Sequence, residues 1–131
     1  MTVIGLERPF ELSLIIPVGP NDDAALQNLL ASIDRQAFPK AQLEVLLQYE
    51  GNSEEARAAG IRRAQGRIIG CLDADNQLLG FEFLQRLVDA ASAPDVCGAY
   101  PTHYADFPSD PPRNRLFALL GANDPLGWWL G

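Results

Sequence analysis

The stretch LSLIIPV, residues 12–18, is a run of apolar and β-branched residues that ends at Gly19 and Pro20. Continuous apolar runs of this length are typical of strands that are buried on both faces of a sheet. Strands of this kind occur in parallel sheets, whose two faces are covered by helices. The stretch therefore predicts a strand of such a sheet, with a turn directly after it.

Two further runs, LEVLLQY at 43–49 and RIIGCLD at 67–73, predict a second and a third strand. A segment with helical spacing follows each of the three runs. The residues expected to face the sheet are Leu26, Leu29, Leu30 and Ile33, then Ala56, Ala59, Gly60 and Ala64, then Leu84, Leu87, Val88 and Ala91. Asn21, Asp22 and Asp23 precede the first helix as capping residues, and Ser53 is the expected N-cap of the second. The short run VCGAY at 96–100 predicts a fourth strand.

This alternation of strands and helices predicts an α/β fold, a mainly parallel sheet with helices on both faces. Ligands of such sheets bind beyond the carboxyl ends of the strands. Three polar or turn-forming pairs lie at those ends, namely Gly19-Pro20, Tyr49-Glu50 and Asp73 with Asp75. The sequence therefore predicts a binding site at this edge of the sheet.

Asp73 and Asp75 are the most informative of these residues. Two carboxylates at positions i and i+2, where a strand breaks into a turn, are able to point into one pocket and form a hard oxygen site for Mg²⁺ or Mn²⁺. Such an ion takes its remaining ligands from substrate phosphates and neutralises a diphosphate leaving group. The alternative is that both aspartates only cap the turn, because an Asp-x-Asp sequence is common by chance.

The charge balance narrows the class of partner. The chain has 131 residues, typical of a single domain over 1–131, with 17 acidic and 10 basic residues and a net charge of -7. A nucleic-acid backbone is excluded as the main partner because phosphate binding of that kind requires a basic face. The basic cluster of Arg62, Arg63 and Arg67 is expected to be a solvated face. Any phosphate ligand therefore needs a metal ion or a local basic group.

The two cysteines, Cys71 and Cys97, are too few for a disulfide framework, and Cys71 lies in an apolar run that predicts a buried, reduced thiol. The N-terminus lacks the pattern of a signal peptide, and the chain contains no apolar run of about 18 residues. These features predict a cytoplasmic protein, with a position at the cytoplasmic face of a membrane left open.

The order of LSLIIPV, EVLLQYEGN and ARAAGIRRAQGRIIGCLDADN resembles family 2 glycosyltransferases of the GT-A fold. The resemblance covers residues 11–92, and its most specific part is residues 56–76. It implies a nucleotide-sugar-binding domain that transfers a sugar from a nucleotide diphosphate sugar to an acceptor with the help of Mn²⁺ or Mg²⁺.

The same resemblance assigns roles to individual residues. Asp75 would ligate the metal, with Asp73 beside it near the ribose or the metal. Pro17, Val18 and Gly19 would line the nucleotide pocket. The resemblance also gives Arg57 contact with a phosphate or a base, whereas a solvent-facing or ion-paired arginine is the alternative.

Two departures from the family pattern concern the base. Tyr49-Glu50-Gly51-Asn52 stands where the family usually has Asp-Asp-Gly-Ser, whose first aspartate holds the base. Tyr49 cannot supply a carboxylate. Either Tyr49 stacks on the base, or Glu50 takes the place of the family's aspartate. The connection between this turn and the next helix is also short, and the strand that family members usually carry there is missing.

Residues 102–131 are expected to form a Pro- and Asp-rich loop followed by an apolar segment. Asp106, Asp110 and Asp124 are candidates for the base that inverting transfer requires, and none of them ranks above a turn residue. His103 is expected to lie on the surface without a metal. The apolar residues that end the chain are expected to be buried. They would pack in the core of this domain, against a further part of the enzyme that binds the acceptor, in a homodimer or at a membrane surface.

Two other functions remain open. A catalytically degenerate GT-A-like binding domain would explain Tyr49-Glu50 and the unidentified base. A nucleotidyltransferase uses a similar sheet and metal site, but PVGPNDD at 17–23 offers one glycine and no basic residue for a phosphate loop. The donor base, the sugar and the acceptor are not specified by the sequence.

Overall fold

A computed structural model describes residues 7–101. The chain divides into two units, residues 1–96 and 97–131, and the described helices and strands lie in the first. In chain order they are β1 (Phe10–Pro17), α1 (Asp23–Asp34), a 3₁₀ turn (Lys40–Gln42), β2 (Leu43–Gln48), α2 (Ser53–Arg63), β3 (Gly66–Cys71) and α3 (Phe83–Ala91). The predicted loop and apolar segment at 102–131 lie outside the described residues.

The three described strands form a parallel sheet in the order β2-β1-β3. Ile15 of β1 is in register with Leu46 of β2 on one side and with Cys71 of β3 on the other. Because β1 is paired on both edges and covered on both faces, its residues from Leu12 to Pro17 are all buried. This explains the continuous apolar run in its sequence.

The sheet is covered by helices on both faces. Leu12, Leu14 and Ile16 of β1 belong to one core that also contains buried residues of α1 and α3. Those helix residues are Leu26, Leu29 and Ile33 of α1 and Leu84 and Val88 of α3. Ile15 points to the opposite face, where α2 approaches so closely that a Cβ on Gly60 would lie 2.4 Å from Ile15 Cγ2. The predicted α/β fold, with a parallel sheet between helices, is confirmed.

Several local predictions need correction. The N-cap of α2 is Asn52 rather than Ser53, and β3 ends at Cys71 instead of Asp73. Residues 96–100 do not form the predicted strand, because the Val96 N–H bonds to the Ala93 carbonyl at 3.1 Å in a turn that continues from α3. Cys71 is exposed rather than buried, since it lies on an edge strand.

None of the helices within residues 7–101 has the length and apolar character needed to cross a membrane.

The close approach of α2 to the sheet leads to a stability prediction. In Gly60→Ala the new methyl group meets Ile15 in a fully buried position. Overpacking costs more than the gain of about 1 kcal/mol in helix propensity recovers, so we expect a net loss of about 1–2 kcal/mol in the free energy of unfolding. Urea denaturation measures it. Gly98→Ala is the matched control because a Cβ there meets no atom within 4 Å, and equal stability of the two variants would contradict the packing described.

Candidate functional site

The carboxyl ends of the three strands open into a crevice at one edge of the sheet. After β1 the chain continues into α1 on one face, and after β2 it continues into α2 on the other face. Neighbouring strands whose connections leave toward opposite faces form the crevice in which parallel sheets bind ligands. The geometry of the fold therefore selects the ends of β1 and β2 as the centre of the site.

An open pocket of about 360 Å³ occupies this crevice. Its volume lies within the range of small-molecule sites. It is lined by Pro17, Val18, Gly19, Asp22, Glu50, Gly51, Asn52, Ser53, Ala56, Arg57, Asp73, Ala74 and Asp75. Seven of the eight residues singled out from the sequence are in this set. The exception is Tyr49, whose side chain stands 65% exposed at the end of β2 outside the pocket lining.

The first wall of the pocket is the turn from β1 to α1. The Val18 N–H bonds to the Gln48 carbonyl at 2.8 Å, which holds the end of β1 against β2. The Gly19 N–H donates to Asp22 Oδ2 at 2.6 Å. Asp22 occupies the N-cap position of α1, but its carboxylate closes this turn and makes no side-chain cap to the helix. The first amide groups of α1 therefore lack a side-chain acceptor from their own cap.

The second wall is the turn from β2 to α2. Gly51 has a φ of 56°, a backbone conformation that favours glycine, and a Cβ there would also require the Glu55 side chain to shift. Asn52 Oδ1 accepts the Glu55 N–H at 3.0 Å and caps α2. Glu50 stands at the rim with its carboxylate 3.4 Å from Arg63 Nη1. The turn thus directs the N-terminus of α2 and an ion-paired glutamate toward the pocket.

The third wall is the turn after β3 that carries the two aspartates. The Leu72 N–H still bonds to the Ile15 carbonyl at 3.0 Å, and the chain then leaves the sheet. The Asp73 N–H donates to Asn76 Oδ1 and the Asn76 N–H donates to the Asp73 carbonyl, both at 3.0 Å. Ala74 between the aspartates is buried in the core, whereas Asp73 and Asp75 are exposed at the pocket. Because Ala74 is directed into the core, the aspartates on either side of it are left exposed at the pocket.

Arg57 links α2 to this turn. Its Nη2 donates to Asp73 Oδ1 and its Nη1 donates to Glu54 Oε1, each at 2.6 Å. The hydrogen bond that Arg57 donates to Asp73 raises the pKa of the guanidinium above its ordinary value, although partial burial acts in the opposite direction. Arg57 is therefore ion-paired, as one of the two sequence alternatives has it, and it also lines the pocket, while its contact with a phosphate or a base stays a prediction.

Cys71 ends β3 just before this wall, and although the residue as a whole is exposed, its sulfur is partly desolvated. Desolvation of its sulfur raises the pKa of the thiol, and the nearby positive charge of Arg57 lowers it by a smaller amount. The side chain stays a neutral thiol at neutral pH. It contributes no negative charge to the pocket.

Acidic side chains dominate the pocket. Asp22, Glu50, Asp73 and Asp75 line it together with a single basic residue, Arg57. Within residues 7–101 no three His, Cys, Asp or Glu side chains gather closely enough to enclose a metal ion on their own. Further ligands for a cation at Asp73 and Asp75 would come from water or from a bound molecule. Hard carboxylate oxygens at an open edge are the donor set with which Mg²⁺ and Mn²⁺ bind phosphorylated ligands.

Three polar lining residues were not identified as site residues from the sequence, namely Asp22, Asn52 and Ser53. Their position at the start of α1 and α2 was the available signal. In a parallel sheet the helix that follows a strand begins at the ligand edge, so residues at the start of those helices belong to the site.

The cap at Asn52 yields a prediction on the stability of the second wall. Asn52→Ala removes the acceptor of the Glu55 N–H and should lower the free energy of unfolding by about 1 kcal/mol. Asn52→Asp keeps an acceptor at the positive end of the helix and should preserve stability. Chemical denaturation of both variants, with Asn28→Ala in the exposed middle of α1 as a control, provides the measurement. A loss in Asn52→Asp as large as that in Asn52→Ala would count against the cap.

The amino-acid sequence of the chain matches a model of a known protein family. The model of Glycosyl transferase family 2 matches residues 21–127, which include Glu50, Arg57, Asp73 and Asp75. No curated protein sequence matches the chain significantly. The family match covers most of the chain and agrees with the parallel sheet and the pocket at its carboxyl edge. The chain is a member of glycosyl transferase family 2.

Proposed function

We propose that this pocket binds a nucleotide diphosphate sugar together with Mn²⁺ or Mg²⁺, and that the chain acts as a metal-dependent glycosyltransferase or as the donor-binding part of one. The observation that carries the proposal is the turn at the end of β3. It presents Asp73 and Asp75 at the pocket on either side of the buried Ala74, in a chain of this family. Membership of the family supports a nucleotide-sugar donor in general terms.

The residues present fit a divalent cation. Asp73 and Asp75 would hold it, and the donor's phosphate oxygens would complete its ligands. When bound, the ion would stabilise the negative charge that develops on the departing nucleoside diphosphate. The charge of the pocket supports the same reading, because four carboxylates and one guanidinium repel a diphosphate that comes without a cation.

The chain's own groups would orient the donor from two sides. Pro17, Val18 and Gly19 offer a largely buried surface for the nucleoside at the end of β1. The N-termini of α1 and α2 both reach the pocket, and their amide groups favour negatively charged phosphates. Arg57, once shared between Asp73 and a phosphate, would add a charge-assisted hydrogen bond to the donor.

The transfer itself forms a bond between an acceptor oxygen and the anomeric carbon of the sugar. The bond from that carbon to the diphosphate breaks, and its electron pair leaves with the nucleotide. The proton of the acceptor hydroxyl passes to a base, which must lie within hydrogen-bond reach. The candidates from the sequence, Asp106, Asp110 and Asp124, lie outside the described residues.

Tyr49 and Glu50 favour a second candidate, a binding domain of the same family without catalysis. Glu50 is engaged by Arg63 at 3.4 Å, and Tyr49 stands outside the pocket lining, so the usual acidic holder of the base has no direct counterpart. Turnover of a nucleotide sugar by this chain would exclude that candidate. Metal-dependent nucleotide binding without turnover would favour it.

Calorimetric titration with UDP and GDP tests the donor site. With Mn²⁺ present we expect saturable binding of at least one of the two nucleotides, and without it we expect none, because the pocket is acidic. In Asp75→Asn the Mn²⁺-dependent affinity should fall at least about ten-fold, since a carboxylate ligand is lost.

Asp34→Asn is the matched control for this titration. Asp34 is an exposed aspartate at the opposite end of α1, so the variant should bind within about two-fold of the original chain. Nucleotide binding that is independent of Mn²⁺, or unchanged in Asp75→Asn, would overturn the proposed donor site.

A further inference from the structure

Two polar side chains lie in the core on the sheet-facing side of α1 and just beyond its end. Ser32 is 0% exposed and Gln36 is 5% exposed, although the core that contains the buried residues of α1 is otherwise apolar. A buried hydroxyl or amide is unfavourable unless its hydrogen bonds are satisfied. The partners of these two side chains therefore indicate what they contribute.

Both side chains bond to the same stretch of backbone. Ser32 Oγ accepts the Leu78 N–H at 3.0 Å and donates to the Leu29 carbonyl at 2.7 Å. Gln36 Nε2 donates to the Gly80 carbonyl at 2.9 Å, and its Oε1 accepts the Leu84 N–H at 3.0 Å. The Ala37 N–H adds a bond to the Phe81 carbonyl at 2.7 Å. Four backbone groups between residues 78 and 84 are thus attached to this end of α1.

The attached stretch is the connection from β3 to α3, which contains no helix or strand between residues 72 and 82. Its backbone groups cannot be satisfied by regular secondary structure, and those that are buried need other partners. Gly80, with a φ of 66°, turns the chain so that its carbonyl meets Gln36. Apolar side chains at positions 32 and 36 would fill the space but would leave these groups unpaired.

The same connection begins with the turn that carries Asp73 and Asp75. Ala74 and Leu78 are both buried in the core that contains α1, so the turn is bounded by the end of β3 on one side and by the Ser32 attachment on the other. At its other end α1 begins at Asp23, directly after its N-cap residue Asp22, which lines the pocket. One rigid helix therefore connects the first wall of the pocket to the segment that supports the third.

From these contacts we propose that Ser32 and Gln36 are positioning residues, which fix the connection from β3 to α3 on α1 and thereby set the location of Asp75 in the pocket. Neither residue lines the pocket, so both act through the backbone. The inference rests on the proposed donor site for its functional consequence. The claim that α1 holds the turn from Asp73 to Asn76 in place does not depend on that site.

Gln36→Met tests the proposal because methionine keeps the length of the side chain and removes both hydrogen bonds. Ser32→Ala is a second, smaller change that removes the acceptor of the Leu78 N–H and the donor to the Leu29 carbonyl within α1. We expect each variant to weaken Mn²⁺-dependent nucleotide binding, by about ten-fold for Gln36→Met, as is typical when the support of a metal ligand is lost.

Ile33→Val is the matched control. Ile33 is buried next to Ser32 in α1, and its loss of one methylene lowers stability without removing any of the hydrogen bonds to the connection. Its nucleotide affinity should stay within about two-fold of the original chain. If Gln36→Met and Ser32→Ala also stay within that range while Asp75→Asn loses binding, the positioning role is wrong and the donor site stands.

Amide hydrogen exchange of the metal-free protein supplies an independent readout. The Asn76 N–H bonds to the Asp73 carbonyl and touches neither Ser32 nor Gln36, so its protection reports the geometry of the turn itself. We expect faster exchange at Asn76 in Gln36→Met and Ser32→Ala but not in Ile33→Val. Where the original chain shows no Asp75-dependent binding, the donor site fails, and this measurement alone decides the positioning role. Unchanged exchange at Asn76 in both variants overturns it.

Discussion

The pairing of β1 with a parallel strand on each edge is the constraint on which the rest of the structure depends. Because both neighbours run in the same direction as β1, the three carboxyl ends meet at one edge of the sheet. Between two parallel strands the chain must cross back to the amino end of the sheet, and α1 and α2 make these crossovers. The chain moves from β1 to β2 in one direction across the sheet and from β2 to β3 in the other, so two right-handed crossovers place α1 and α2 on opposite faces. The crevice between the ends of β1 and β2 is the geometric result of that reversal.

Four carboxylates lie close together in this crevice, whereas like charges on a protein surface are usually dispersed. Arg57 relieves part of the repulsion by bonding to Asp73, and the turn from β1 occupies Asp22 with the Gly19 N–H. Glu50 is turned toward Arg63. Asp75 completes the acidic lining of the pocket.

Fold and site differed in how far the sequence predicted them. Hydrophobic periodicity identified the three strands, the three helices and the edge of the sheet where ligands bind, because each element follows from spacing within its own segment. The exposure of Cys71 depends on which strand lies at the edge of the sheet. The turn at Val96 depends on a hydrogen bond to the preceding turn, and the spacing of apolar residues reveals neither feature. Ser32 and Gln36 interrupt an apolar face, and their partners are more than 40 residues away in sequence.

The excess of acidic groups in the pocket has a thermodynamic consequence for any pair of ligands that it takes. If a cation and a nucleotide bind side by side there, each removes part of the electrostatic cost of the other, so their binding is positively cooperative. Linkage then requires the nucleotide to raise the affinity for the cation by the same factor by which the cation raises the affinity for the nucleotide. With this linkage the pocket would hold each ligand more weakly alone than together, and departure of the diphosphate would lower its affinity for the cation.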